Sequence, residues 1–380
     1  MTQAKFFSSI NEQLKEKIPF VVYRKPGESE VKALLQKNKI VYNAVDLKEA
    51  GFVFSPFDIQ KEILLIPLKN SELLSLEKLS LEGVGSNDFF KLDDPVVQDP
   101  YGKEDHLRLV TSALAKLKAG DMQKVVLSRQ EMVPLKSSDP VSIFIDLLHG
   151  YPDAFVYCWY HPSTGIWLGA TPETLIKTEG LNFKTMALAG TQKFKGEMNV
   201  TWGEKEILEQ EYVTTSILDD LKDTELTEDI NVSETYTSRA GGVLHLKTDI
   251  SGKLKSGDGL GAIIRSLHPT PAVCGLPKEK SRNYILEEES FDREFYTGFL
   301  GELNFQEKLS RSRTRRNTEN LAYSAIRKKT ALFVNLRCMK LEEDKAIIFV
   351  GGGITKDSNP EDEYLETVNK AQTMKKVLIK

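Results

Sequence analysis

The chain has 380 residues, of which 40% are hydrophobic and 28% charged, values that are typical of a packed globular protein. Its net charge of −4 gives no general attraction to nucleic acid or to an anionic membrane surface. Three scattered cysteines indicate a reducing compartment, and no apolar run reaches membrane-spanning length. We therefore expect a cytoplasmic protein with neither a nucleic-acid nor a membrane partner.

The first 130 residues predict strands followed by one helix. Short apolar runs that are separated by turn residues predict strands at 20–24, 52–57 and 62–68. Apolar residues at helical spacing predict a helix over 104–119. The next strand is predicted over 123–129, and its alternation places Lys124, Val126 and Ser128 on one face.

The remainder predicts further strands with three helices among them. The strands are expected at 154–160, 166–170, 243–254, 296–305, 330–341 and 345–354. The helices are expected at about 141–148, 201–223 and 360–377. Because no regular βαβ rhythm is present, the pattern favours an α+β layered fold with antiparallel sheets.

Two pairs of glutamates indicate a site for a divalent cation. Glu206 and Glu209 lie in one predicted helix, and Glu363 and Glu366 lie in another, with Lys370 one turn further on. Residues at these spacings share a helix face. Carboxylates that leave room for water are typical ligands of Mg²⁺. The alternative is two solvated helices with acidic faces.

Two further side chains are candidates for acid–base chemistry. Lys124 lies in an apolar strand, and a lysine that faces a sheet interior can act as a general base; the alternative is an edge-strand lysine that faces water. Glu173 follows the turn Gly-Ala-Thr-Pro, from which it could project into a cleft and stay protonated as a general acid. Alternatively, Glu173 is a first-turn glutamate that a helix dipole stabilises.

A glycine run and an arginine suggest an anion-binding region. Three consecutive glycines in 350–354 follow an apolar strand, so their amides can approach a carboxylate or phosphate closely. Arg337 in the preceding predicted strand can clamp a carboxylate with both of its terminal nitrogens. Together with the acidic pairs, these groups indicate a substrate with more than one carboxylate.

Eight motifs in order resemble those of the chorismate-utilising enzymes: KVVLSR, GATPETL, ALAGT, KEILEQ, LHPTPAVCGLP, REFYTGFLGE, LFVNLRCM and GGGITKDSNPEDEYLETVNK. This family includes isochorismate synthase, salicylate synthase and the synthase subunits for anthranilate and aminodeoxychorismate. The resemblance implies an anthranilate synthase component I-like fold, in which two antiparallel sheets pack as a sandwich with helices outside. It implies one domain over 1–380, in which 1–100 is a variable part that completes the sheets and 101–378 is the catalytic part.

The resemblance also implies roles for individual residues. Lys124 would activate a water that adds at C2 of the ring, and Glu173 would protonate the hydroxyl that leaves C4. The matching substrate-binding groups are Tyr296, Arg337, Lys370 and the amides of Gly351 and Gly353, with Gly190 and His245 at further pocket positions.

The implied cofactor is Mg²⁺. Glu209 and Glu366 match its ligands, and Glu206 and Glu363 would hold it indirectly or through its waters. The chain departs from the family at Gln210, where a histidine is usual, and this change could alter hydrogen bonding at the metal site.

Two alanines favour isochorismate synthase within the family. Ala189 stands where aminodeoxychorismate enzymes carry a lysine, and Ala272 stands where anthranilate and salicylate synthases carry a threonine. We therefore expect conversion of chorismate to isochorismate, for menaquinone or siderophore biosynthesis, by a monomer without a glutamine amidotransferase subunit. The alternatives are a salicylate synthase, which would also release pyruvate, and a non-catalytic chorismate-binding homologue.

A second departure is an arginine-rich insertion at about 306–330. It contains the basic run 311–317, followed by the basic residues 327–329. Because no aromatic residues interleave with the charges, we expect a solvated hairpin excursion rather than a nucleic-acid patch.

Overall fold

The computed structural model describes residues 1–77, 79, 102–135, 139–240, 242–308 and 326–378. These residues form seven α-helices: α1 (Gln3–Lys15), α2 (Gly102–Lys118), α3 (Pro140–Gly150), α4 (Glu204–Asp223), α5 (Leu260–Leu267), α6 (Lys278–Glu288) and α7 (Pro360–Leu378). The four predicted helices are confirmed as α2, α3, α4 and α7, with ends that shift by at most three residues. No helix in these ranges is long and apolar enough to cross a membrane.

The strands form two sheets, and we number them in chain order. From edge to edge, the first sheet contains β15 (Gly275–Leu276), β7 (Lys124–Pro134), β19 (Lys345–Ile354), β18 (Cys338–Leu341), β9 (Gly165–Thr171), β8 (Phe155–His161), β1 (Phe20–Arg24), β2 (Val31–Gln36) and β6 (Ser71–Leu76). The second contains β12 (Thr227–Val232), β14 (Val243–Leu254), β11 (Asn182–Lys193), β10 (Thr174–Glu179), β17 (Ile326–Val334), β16 (Phe299–Lys308), β4 (Gly51–Ser55), β5 (Leu64–Pro67) and β3 (Tyr42–Asn43), and β13 (Tyr236–Ala240) pairs with β14.

All of these strand pairs are antiparallel, as predicted. Strands from the first 77 residues form one end of each sheet: β1, β2 and β6 in the first, and β3, β4 and β5 in the second. The arrangement is therefore an α+β sandwich with antiparallel sheets, which confirms the expected fold class.

The space between the sheets is filled by aromatic side chains. Tyr23, Tyr157 and Trp159 of the first sheet pack in one buried cluster with Phe54 and Phe333 of the second. Withdrawing each such side chain from water contributes about 1.5–3 kcal/mol. Helices α1, α3 and α7 pack on the outer face of the first sheet, and α4 and α5 pack on the outer face of the second. The helices therefore lie outside the sandwich.

The predicted single strand at 330–341 is wrong. Strand β17 ends at Val334 in the second sheet, and β18 begins at Cys338 in the first. The three residues 335–337, here called the crossing segment, carry the chain between the sheets. Arg337 has a φ of 48°, a left-handed conformation that is uncommon outside glycine. The apolar pattern on either side does not reveal this break, because both halves are strands.

The described residues include only the two ends of the arginine-rich insertion. The run 311–317 lies outside the described residues. Residues 327–329 belong to β17, where Arg327 and Lys329 form ion pairs with Glu179 of the neighbouring strand β10.

Candidate active site

One cavity brings together most of the predicted site residues, and we call it the central cavity. The predicted residues that line it are Glu173, Gly190, Glu209, His245, Ala272, Tyr296, Arg337, Gly351, Gly353, Glu366 and Lys370. Lys124, Glu206 and Glu363 are not among its lining residues. The lining comes from both sheets and from the inward faces of α4 and α7.

Lys124 lies immediately behind the wall of this cavity. Strand β7 has partners on both sides, and Lys124 is 0% exposed, so the alternative of an edge lysine facing water is wrong. Its Nζ lies 2.8 Å from Glu209 Oε1. Burial alone would raise the pKa of Glu209, but Lys124, together with Lys370 and Lys205, outweighs burial and the pKa is lower than usual. The fully buried Lys124 therefore forms an ion pair with a Glu209 side chain that is 14% exposed.

Glu173 occupies the turn between β9 and β10. It is buried, and Thr270 donates a hydrogen bond from Oγ1 to its Oε1 at 3.4 Å. Burial raises the pKa of Glu173 to about 7, against the opposing effects of Lys124 and the Thr270 hydrogen bond. A strand rather than a helix follows it, so the helix-dipole alternative is wrong. The site thus contains a carboxylic acid that keeps its proton close to neutral pH.

His245 holds the guanidinium of Arg337. Arg337 Nη2 lies 2.9 Å from His245 Nε2, and His245 Nδ1 lies 2.9 Å from the carbonyl oxygen of Gly190. Burial and the nearby guanidinium lower the pKa of His245 to about 3, so the ring is neutral. Since the carbonyl can only accept, Nδ1 carries the proton and Nε2 accepts from Arg337. Burial lowers the pKa of Arg337 to about 10, which still leaves it charged at neutral pH.

Glycine at position 190 allows α4 to approach β11. Its φ is +65°, and a Cβ there would lie 3.1 Å from Glu206 Cβ. Glu206 therefore packs its stem against the backbone of Gly190. The positive φ and the close helix together require the absence of a side chain.

The remaining acidic residues are paired with lysines. Glu363 is buried, and its Oε1 lies 2.6 Å from Lys205 Nζ, while its Oε2 has no hydrogen-bond partner. Glu366 Oε1 lies 2.7 Å from Lys370 Nζ. A Cβ built on Gly352 would lie 3.6 Å from Glu363 Oε2 and 4.0 Å from Glu366 Oε1, so these two oxygens flank the same point. Burial raises the pKa of Glu363, and repulsion from Glu366 adds to the effect.

The donor set fits magnesium chemically, but the side chains do not surround an ion as they stand. Within the described ranges, no group of three His, Cys, Asp or Glu side chains is placed to hold a metal. Instead, Glu209, Glu363 and Glu366 each contact a lysine. The unpartnered, buried Oε2 of Glu363 is the group that most needs a cation. These three carboxylates can hold Mg²⁺ once the ammonium groups move aside.

Sequence reasoning missed two contacts and did not predict the partners of a third residue. Lys205 was not predicted, although its spacing of four from Glu209 places both on one face of α4. Thr270, the donor to Glu173, lies within the motif LHPTPAVCGLP. The side-chain amide of Gln210 donates to the Ala187 carbonyl at 3.1 Å and to the Thr248 hydroxyl at 3.0 Å. These two hydrogen bonds hold the side chain of Gln210 against β11 and β14, and its effect on a metal site stays a prediction.

Comparison with sequence families gives two matches. A family model described as chorismate binding enzyme matches residues 75–309, and a second with the same description matches 321–376. Isochorismate synthase 2, chloroplastic, of Arabidopsis thaliana is 30% identical over 267 residues, which cover 67% of this chain and 43% of that protein. Isochorismate synthase EntC of Escherichia coli K12 is 28% identical over 277 residues, which cover 70% of this chain and 65% of that protein. The chain thus spans about 43% to 65% of these relatives.

Solved structures share the architecture. The putative 2,3-dihydroxybenzoate-specific isochorismate synthase DhbC of Bacillus anthracis superposes with a TM-score of 0.76 at 22% identity, over 97% of this chain and 99% of that one. Anthranilate synthase component I of Streptococcus pneumoniae gives a TM-score of 0.65 at 18% identity, over 94% and 92% of the two chains. The two likenesses establish the fold.

Proposed function

This chain belongs to the family of chorismate-binding enzymes, and from that premise we propose that it is an Mg²⁺-dependent isochorismate synthase. The observation that carries the proposal is the pairing of two groups at one cavity: Glu173, which keeps a proton up to about pH 7, and Lys124 behind the cavity wall. A hydroxyl shift on a ring needs one group to take a proton from water and another to give one to the departing oxygen.

The proposed reaction exchanges one water for another. Lys124 accepts a proton from a water whose oxygen bonds to C2 of the ring, and the double bonds shift as the C4–oxygen bond breaks. Glu173 donates its proton to that oxygen, which leaves as water. Lys124 needs to be free of its proton, so its contact with Glu209 has to open before turnover.

In this proposal, the cationic side chains and the backbone amides that line the central cavity orient the substrate. Arg337, fixed by His245, offers a fork that matches a carboxylate. Lys370, which now contacts Glu366 and the Gly351 carbonyl, and the amides of the glycine run are the proposed donors to the second carboxylate. Mg²⁺, held by the acidic residues of α4 and α7, would neutralise the ring carboxylate when bound.

The proposed product is isochorismate rather than salicylate. Ala272 lines the cavity, so no hydroxyl is present at the position where a threonine is expected in pyruvate-releasing relatives. We propose that the product supplies menaquinone or siderophore biosynthesis. We propose that the protein acts as a monomer, and that no amidotransferase subunit is needed because water rather than ammonia is the proposed nucleophile.

Product analysis tests the function. Purified protein is incubated with chorismate, with and without Mg²⁺, and the products are identified by liquid chromatography and mass spectrometry. A Mg²⁺-dependent isomer of unchanged mass is expected. Salicylate with pyruvate would support a salicylate synthase instead, and the absence of any Mg²⁺-dependent consumption would support a binding protein without catalysis.

A further inference from the structure

A second cavity lies directly behind Lys124, and we call it the rear cavity. It has a volume of about 260 Å³ and is lined in part by Met122, Gln123, Leu208, Glu209, Tyr212 and Thr355. Met122 and Gln123 immediately precede Lys124 in the chain. Such a volume holds several waters, since one water needs roughly 10–15 Å³ on this kind of measure.

The rear cavity and the central cavity share one lining residue, Glu209. A Cβ built on Gly353, which lines the central cavity, would lie 2.6 Å from Glu209 Oε1 and 3.0 Å from Lys124 Cε. Lys124 and the Glu209 carboxylate therefore lie where the two spaces meet.

A third cavity adjoins the central cavity at other residues. It includes Tyr151, Asp362 and Lys376 and shares Thr191, Glu366 and Lys370 with the central cavity, whereas the rear cavity shares Glu209. A substrate that entered through the third cavity would leave the rear cavity as a separate source of water for Lys124.

We propose that the rear cavity is the water-binding site that supplies the attacking water to Lys124 past Glu209. This inference rests on the proposed function, because each turnover takes in one water at C2 and releases another from C4. Water passes from the rear cavity when the Glu209 carboxylate turns away from Lys124. The oxygen bonds to C2, Lys124 takes one proton, and the water formed at Glu173 leaves through the central cavity.

The charges around the rear cavity favour a neutral molecule. Lys205 and Lys356 both line it, so a divalent cation would approach two ammonium groups before it reached Glu209. Asp357 and Glu209 oppose an anion in the same way. Water is the small polar molecule that meets neither repulsion.

A cysteine at position 208 allows the rear cavity to be blocked reversibly. Leu208 is 42% exposed and lines the rear cavity, whereas its neighbour Ile207 is 45% exposed and lines none of the three cavities. The native cysteines are all buried, so a thiol introduced on α4 reacts selectively. Leu208→Cys and Ile207→Cys are each modified with methyl or benzyl methanethiosulfonate, and the adducts are removed with dithiothreitol.

The benzyl adduct at position 208 is expected to lower kcat at least about tenfold, with unchanged KM for chorismate and unchanged apparent Mg²⁺ affinity. The methyl adduct should do less, dithiothreitol should restore kcat, and both adducts at position 207 should leave kcat unchanged. The restored activity separates blockage from misfolding.

Three results would overturn the water route: full kcat in the benzyl adduct at 208, an equal loss at 207, or a loss that appears in KM or in Mg²⁺ affinity. A failure of the proposed function looks different, since the unmodified protein would then leave chorismate unconverted.

Discussion

Two glutamates at the same cavity differ in charge although both are withdrawn from water. Burial raises the pKa of Glu173 to about 7, whereas the pKa of Glu209 is below its usual value. Glu209 lies 2.8 Å from the Lys124 ammonium, and Glu173 accepts a long hydrogen bond from the Thr270 hydroxyl. At Glu209 the charges of Lys124, Lys370 and Lys205 together outweigh burial, whereas at Glu173 burial outweighs the charges of Lys124, Arg337 and Lys370.

The largest effect is expected from removal of Lys124, the residue that contacts Glu209 but not Glu173. Lys124→Ala should lower kcat about 10³-fold, because the proposed base is gone and Glu209 is left buried without its cation. The measurement is steady-state turnover of chorismate at saturating Mg²⁺. Lys25→Ala is the matched control, since it takes a half-buried lysine from the buried Glu302 far from the cavity. Near-normal turnover in the Lys124 variant would remove it from the role of base.

Glu173→Gln keeps the shape of the acid but removes its proton donation. We expect kcat to fall about 10²-fold or more. Because the folded-state pKa of Glu173 is raised from 4.5 to about 7, the charged form costs stability progressively as the pH rises between these values. The variant should therefore be more stable than the wild type at pH 8, on the order of 3 kcal/mol, and equal to it below pH 4. Denaturant unfolding at both pH values checks this, and a variant less stable at pH 8 would contradict the buried-acid assignment.

The pH dependence of kcat/KM tests the protonation state of Glu173 in the unmutated protein. Since the proposed acid works in its protonated form, kcat/KM should fall as the pH rises through about 7. This limb should be absent from the residual activity of Glu173→Gln. A limb that persists in that variant would assign the ionisation to another group.

The acidic residues of α7 test the metal proposal. Glu366→Ala should weaken Mg²⁺ binding at least about tenfold, measured by calorimetry, because one proposed oxygen ligand is lost. Glu361→Ala, on the same helix but paired with the exposed Lys103, should leave Mg²⁺ affinity unchanged. Equal affinities in the two variants would place the ion elsewhere.

The smallest expected effect is on product identity. Ala272→Thr introduces a hydroxyl into the central cavity and should yield a minor amount of pyruvate, with most turnover still giving isochorismate. A coupled pyruvate assay against the wild type measures it. If the variant releases no more pyruvate than the wild type, residue 272 does not determine which product is formed.

Sequence periodicity predicted about half of the strands and four of the seven helices in the described ranges, because these elements show a clear local spacing of apolar residues. It missed α1, β2, β10 and the long central strand β11. It also placed Lys124 and Val126 on one strand face, and both lie at or behind the wall of the central cavity. Whether Lys124 is an edge or a central residue was not accessible, since strand neighbours such as β15 and β19 come from distant parts of the chain. The family resemblance, rather than periodicity, supplied the residues of the cavity.

The features that could not be predicted from the sequence depend on contacts between distant elements. The break at 335–337 contains Asn335 and Arg337 between two apolar stretches, but only the sheet arrangement shows that these two stretches belong to different layers. The Lys205–Glu363 ion pair joins helices 158 residues apart in the chain. Neither local propensity nor motif spacing carries such information.

The crossing segment links recognition to architecture. Asn335 accepts a hydrogen bond from the Tyr157 hydroxyl at 2.6 Å and donates one to the Phe295 carbonyl at 2.9 Å. It therefore connects the crossing segment to β8 of the first sheet and to the loop before β16 of the second sheet. Arg337 is two residues away. Any change in how the two sheets sit on each other would therefore also displace the guanidinium, so the proposed recognition of a carboxylate by Arg337 depends on the alignment of the sandwich.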